Sequence, residues 1–178
     1  MMKDNNALDI IANDVRNNIH TLVQGGYSPL LIEAWIRESI VPEGLTITKD
    51  YRILLSASGK EIKLHPLAKT LYLFFLINVP GCRIKELPQH EEEILKIYKH
   101  LTVFDNTPVN NSRISRLVDP HSKSFLEKCA TISHSFRSEM SNIEAEHYCI
   151  LGGRGEPRRI ILDRCLVKWE TDILQKTV

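Results

Sequence analysis

The chain has 178 residues, 43% of them hydrophobic and 25% charged, with a formal net charge of +1. That length allows one good core plus an appendage, and the near-balanced charge argues against a strongly basic nucleic-acid coat. No apolar run approaches the ~20 residues that a bilayer requires. The opening Met1-Met2-Lys3-Asp4 lacks the apolar core of a signal peptide, so a cytoplasmic protein with no membrane partner is expected.

Residues 7–24 predict an amphipathic helix, because Leu8, Ile11, Val15, Ile19 and Leu22 recur at spacings of three and four. Asn5 or Asn6 is available to cap it, and Gly25-Gly26 ends it. Ser28-Pro29 reads as an N-cap with proline at the first helical position. Leu31, Ile32, Trp35 and Ile36 form the expected buried stripe of a second helix, closed by Pro42-Glu43-Gly44. This helical arm, residues 1–44, either docks on the rest of its own chain or pairs with a second copy as a homodimer.

Residues 45–48 and 51–55 are rich in β-branched and aromatic side chains, and residues 61–64 alternate again after Gly59, which predicts an antiparallel meander. Pro66 then opens a largely apolar helix through Leu67, Leu71, Phe74 and Phe75, and Pro80-Gly81 stops it. After a short mixed run, Pro88 starts a helix with Glu91, Glu92 and Glu93 in its first turn, where negative charge favours the dipole. A polar loop over 103–111 leads to a short helix at 112–118, broken by Asp119-Pro120. The last long helix runs from about Ser122 to Met140, with Phe125, Cys129, Ile132 and Phe136 on its apolar side and Leu126 alongside. Its other side is short-chained and polar.

Residues 147–151 and 159–162 predict two strands joined by the glycine-rich tip Gly152-Gly153-Arg154-Gly155-Glu156-Pro157-Arg158. Residues 163–174 alternate weakly and predict a short tail element. The four cysteines, Cys82, Cys129, Cys149 and Cys165, form no C-x-x-C pair, and the seven histidines form no H-x-x-x-H. Ordinary thiols are expected, with no disulfide framework, metal site or cofactor. Charge is uneven: residues 1–44 hold three basic and six acidic groups, residues 45–104 nine and six, and residues 105–178 eleven and ten.

The order of strands, helices and glycine-bearing hairpin resembles a winged helix-turn-helix, and in particular the OmpR-type effector domain of bacterial response regulators. Leu64-His65-Pro66 resembles that family's helix entry and Asn78-Val79-Pro80-Gly81 its helix stop. Ile132-Ser133-His134-Ser135-Phe136-Arg137 followed by Gly153-Arg154-Gly155 resembles its recognition helix and wing. The resemblance implies an α+β fold, a winged-helix-like domain over residues 45–178 with a leading antiparallel meander and a C-terminal hairpin wing. It implies double-stranded DNA as partner and transcription regulation as role. Ser124, Lys128, Thr131, Ser135 and Arg137 would face the major groove, and Arg154, Arg158 and Arg159 the phosphates or minor groove. Forty-four residues leave no room for a receiver domain, so phosphorylation control is not implied.

The alternative is a winged-helix module that contacts another protein through its acidic arm. An enzyme is not expected. The Gly152-Gly153-Arg154-Gly155 run lacks G-x-x-x-x-G-K-[ST] and precedes a strand, where a phosphate loop needs a helix N-terminus.

Overall fold

A computed structural model describes residues 4–104 and 111–170. The chain divides into two units, Met1–Val41 and Pro42–Val178. The first holds α1 (Asp4–Gln24) and α2 (Pro29–Ser39). Gly26, at φ +90°, lets the amides of Gly26 and Tyr27 turn back to the carbonyls of Val23 and Leu22 at 3.1 Å each, which closes α1 as glycine closes most helices. Pro29 opens α2, while the Ser28 side chain makes no capping bond. Of the expected apolar stripes only Ile32 is buried; Leu8, Ile11, Val15, Leu31, Trp35 and Ile36 are exposed. A unit of this size has too little surface to enclose a core of its own, and Tyr27 packs on Trp35 with ring centroids 5.6 Å apart.

The second unit is α+β. β1 (Leu45–Ile47) and β2 (Ile53–Leu55) pair antiparallel with Thr46 opposite Leu54. Their inward residues are fully enclosed, as alternation requires of a one-sided sheet. The third meander strand shrinks to a single bridge, Leu54 to Glu61. The other edge of β1 is taken instead by β3 (Val167–Trp169), which pairs in parallel to give the order β2-β1-β3. The weakly alternating tail therefore supplies a sheet strand. The described residues contain no other sheet.

Five further helices follow: α3 (Pro66–Ile77), α4 (Glu91–Phe104), α5 (Asn111–Val118), α6 (Ser124–Arg137) and α7 (Asn142–Ala145). Residues 68–76 of α3 are buried without interruption, so it is the central pillar of the core. The helix expected to start at Pro88 is preceded by a 3-10 segment, Ile84–His90, with Pro88 inside it, and α4 begins at Glu91. The glutamates at its start take local partners: Glu91 accepts from the Ser115 hydroxyl at 2.5 Å and Glu93 lies 3.2 Å from His90 Nδ1. An aromatic stack fixes α6 against α3: Tyr72 lies 5.2 Å from Phe136, and Phe136 stacks on Tyr148 at 5.1 Å. Tyr148, in turn, donates to the carbonyl of Glu43 at 2.7 Å.

The two strands expected over 147–151 and 159–162 are not formed as strands. Residues 146–149 turn directly after α7, and the glycine-rich segment is held by single bridges, Leu151 to Arg159 and Cys82 to Arg158. The last long helix likewise ends at Arg137, with α7 set off by Ser141, whose hydroxyl accepts from the Glu144 amide.

Candidate functional site

The glycine-rich hairpin is positioned from below. Leu151 and Arg159 exchange two backbone hydrogen bonds, at 2.9 and 2.8 Å, and on the other side Cys82 and Arg158 exchange two more, at 3.1 and 2.8 Å. The segment 158–159 is thus sandwiched between residue 82, just past the end of α3, and residue 151. Gly155, at φ +81°, makes the tip turn, and Arg83 Nε donates to its carbonyl at 3.1 Å.

Adjacent residues in an extended segment point to opposite sides, and the three hairpin arginines divide accordingly. Arg154 and Arg158 line a cleft of about 500 Å³ with Arg83, Lys85, Pro120 and Leu126 of α6. Glu156 is the acidic side chain in that lining, and Glu86 pairs with Arg83 at 3.3 Å. Among the described residues no ion pair reaches Lys85, Arg154 or Arg158, and Arg158 Nε is buried with no hydrogen-bond partner. Arg159 lies on the other side, over a hollow lined by Val79 and Ile161.

The expected recognition face of α6 does not open onto the hairpin cleft. Ser124 is buried, and with Lys128 and Thr131 it lines a second cleft of about 480 Å³, beside Arg113 and Arg116 of α5 and the start of α3. The Thr131 hydroxyl is already committed to the Glu127 carbonyl at 2.9 Å. Ser135 donates to the Lys63 carbonyl at 3.3 Å and faces a third hollow with Lys60 and Glu139. The side of α6 that begins at the hairpin cleft carries Leu126, Ala130, Ser133 and Arg137, spaced by four, three and four. Leu126 is half exposed there rather than packed in the core. Of the α6 residues singled out from sequence, Arg137 alone belongs to that side.

Arg83 and Lys85 had no local signal in the sequence. They join the cleft because Gly81 lets residues 82–85 pass directly under the hairpin. A Cβ at Gly81 would fall 1.9 Å from the Arg158 carbonyl oxygen, at a φ of +70° that suits glycine.

The described residues hold no group of three or more His, Cys, Asp or Glu placed to bind a metal ion. Burial pushes the Cys82 and Cys129 thiols up to about 12, and it raises Cys149 as well. These thiols are protonated at neutral pH and are poor nucleophiles. No helix among the described residues is long and apolar enough to cross a membrane. Set against known protein families, curated proteins and solved structures, the chain matches none of them.

Proposed function

We propose that the chain is a DNA-binding regulator of the winged helix-turn-helix kind, using the hairpin as wing. The observation that carries this reading is the convergence of Arg83, Lys85, Arg154 and Arg158 on one cleft that borders α6. Four cations around a groove, with Glu156 in the lining and Glu86 paired to Arg83, still leave a local positive excess that the near-neutral whole chain conceals. The order of parts supports it: a central helix, a short extended segment at residue 82, further helices, α6, and an arginine-bearing hairpin bonded back to residue 82.

In this reading the guanidiniums of Arg154 and Arg158 take phosphate oxygens as bidentate donors, with Lys85 as a point charge beside them. Arg158 lines the cleft, and among the described residues no carboxylate pairs with its guanidinium. Contacts of this type position a protein on a duplex and carry most of the salt-dependent affinity. The Leu126–Arg137 side of α6 replaces the Ser124–Ser135 side as the surface turned to the groove, with Leu126 and Ala130 offering apolar contact to thymine methyls. Arg159, on the opposite side of the hairpin, contributes little.

The test is a double charge reversal, R154E with R158E, measured for retention on random duplex DNA and by circular dichroism. The reading requires loss of retention with the fold intact. Equal retention by variant and parent overturns it.

A protein-contact role has one observation of its own. The Met1–Val41 unit exposes Leu8, Ile11, Val15, Leu31 and Trp35, and an apolar surface of that kind favours a protein partner or a second copy. Light scattering on the full chain and on I11D reads the difference: a dimer that I11D dissociates assigns the stripe to self-association. A parent that is already monomeric removes the homodimer.

A further inference from the structure

The cleft between the start of α3, α5 and the first turns of α6 takes no part in the DNA reading. Its volume, about 480 Å³, lies within the range of small-molecule sites. Arg113 and Arg116 enter it from α5, three residues apart and therefore on one side of that helix, and Lys128 enters from α6. Among the described residues no ion pair reaches any of the three. Glu127 is the acidic side chain of the lining, which leaves an excess of two positive charges among the Arg, Lys and Glu side chains.

The floor is the first turn of α3. His65 makes no side-chain cap, and Pro66 brings no N–H of its own. Leu67 and Ala68 line the cleft; amides in the first turn of a helix have no carbonyl one turn earlier to bond, and the dipole there favours negative charge. The same cleft holds a pair of sunken hydroxyl-bearing side chains. Tyr98 is 1% exposed and Ser124 is 7% exposed, both line the cleft, and among the described residues no hydrogen bond reaches either hydroxyl. Each hydroxyl is therefore open to an oxygen that enters the cleft.

We propose that this cleft binds a phosphorylated small molecule, its phosphate held by Arg113, Arg116 and Lys128 over the first turn of α3. A phosphate dianion matches the charge excess, and its several oxygens match donors that arrive from three helices; a planar carboxylate presents only two. The cleft is larger than the ion itself, and Pro66, Leu67 and the Tyr98 ring offer an apolar wall to a small organic body. A duplex backbone is too broad to reach hydroxyls as sunken as these. Because α6 borders both clefts, occupancy here would sit directly behind the proposed DNA-facing side.

Calorimetric titration of the full chain with phenyl phosphate and with inorganic phosphate tests this. Both should bind, phenyl phosphate the tighter. R113Q and R116Q should each weaken phenyl phosphate roughly tenfold or more, as loss of a charged hydrogen bond does. E127Q should tighten it, and R154E should leave it unchanged, which separates this cleft from the hairpin. Circular dichroism confirms that each variant is folded. Absence of binding by either probe up to about 10 mM, binding of inorganic phosphate alone, binding indifferent to R113Q and R116Q, or displacement of the probe by duplex DNA would each overturn the proposal.

Discussion

Cys82 and Arg158, 76 positions apart in the sequence, exchange backbone hydrogen bonds at 3.1 and 2.8 Å, and that pair joins the arginine-bearing hairpin to the end of the central helix. The pair forms because Gly81 has no Cβ to strike the Arg158 carbonyl. G81A should therefore cost more than about 3 kcal/mol, since backbone strain and a backbone collision add. Gly59 is the control. It has nearly the same φ, +67°, with nothing within 4 Å of its imagined Cβ, so G59A should cost about 1–2 kcal/mol. Urea denaturation of both variants measures the difference, and equal costs would contradict the close approach at Gly81.

The end of α3 makes a second prediction. Pro80 has no N–H, so the Leu76 carbonyl loses its donor four residues on, and the Val79 amide goes to Ile77 instead. Arg164 fills the gap: Nε donates to Leu76 at 2.7 Å and Nη2 to Phe75 at 3.1 Å and to Ile160 at 3.2 Å, with Nη1 on Leu162. Removing a charged donor from several carbonyls should make R164A less stable by about 3 kcal/mol or more. R164K should fall between, because an ammonium cannot span the same fork. Thermal denaturation orders the three proteins.

What the sequence carried and what it hid follow the same divide between local and distant interactions. Pro29, Pro66, Gly25-Gly26 and Pro80-Gly81 act within a few residues of themselves, and the helices they bound were legible. The partner of β1 was not. Val167–Trp169 pairs in parallel with a strand some 120 positions earlier, and nothing in a weakly alternating tail names its partner. The hairpin strands over 147–151 and 159–162 failed because α7 and its following turns claim residues 142–149, so only single bridges remain. On α6 the apolar spacing found the core side through Phe125, Ile132 and Phe136, but both flanks looked alike. Which flank meets the hairpin depends on Arg83, Lys85 and Arg158, and no local pattern connects those three.

Asp163 supplies a prediction in pH. Its carboxylate accepts from the Cys165 amide at 2.9 Å, starting the 3-10 turn that leads into β3, and this bond holds its pKa below the usual value. A carboxyl depressed in the folded state contributes stability that is complete above the unfolded value of about 3.9. That contribution is lost as pH falls below it through the folded value. The melting temperature of the parent should therefore drop more steeply below about pH 4 than that of D163N, whose amide does not titrate in that range. Parallel curves from pH 7 to 3 would show that the bond carries no linkage.

In the DNA-binding proposal the four cations around the hairpin cleft bind a nucleic-acid backbone. Fluorescence anisotropy of a random duplex, titrated with the full chain at a series of salt concentrations, tests it most directly. Each phosphate contact should contribute a slope of about 0.9 in log affinity against log salt, so a footprint of three to four contacts predicts a slope near −3. R154A should weaken binding and flatten that slope by about one contact. No binding at about 20 mM salt, where screening is weak, or binding that ignores salt, would contradict the account.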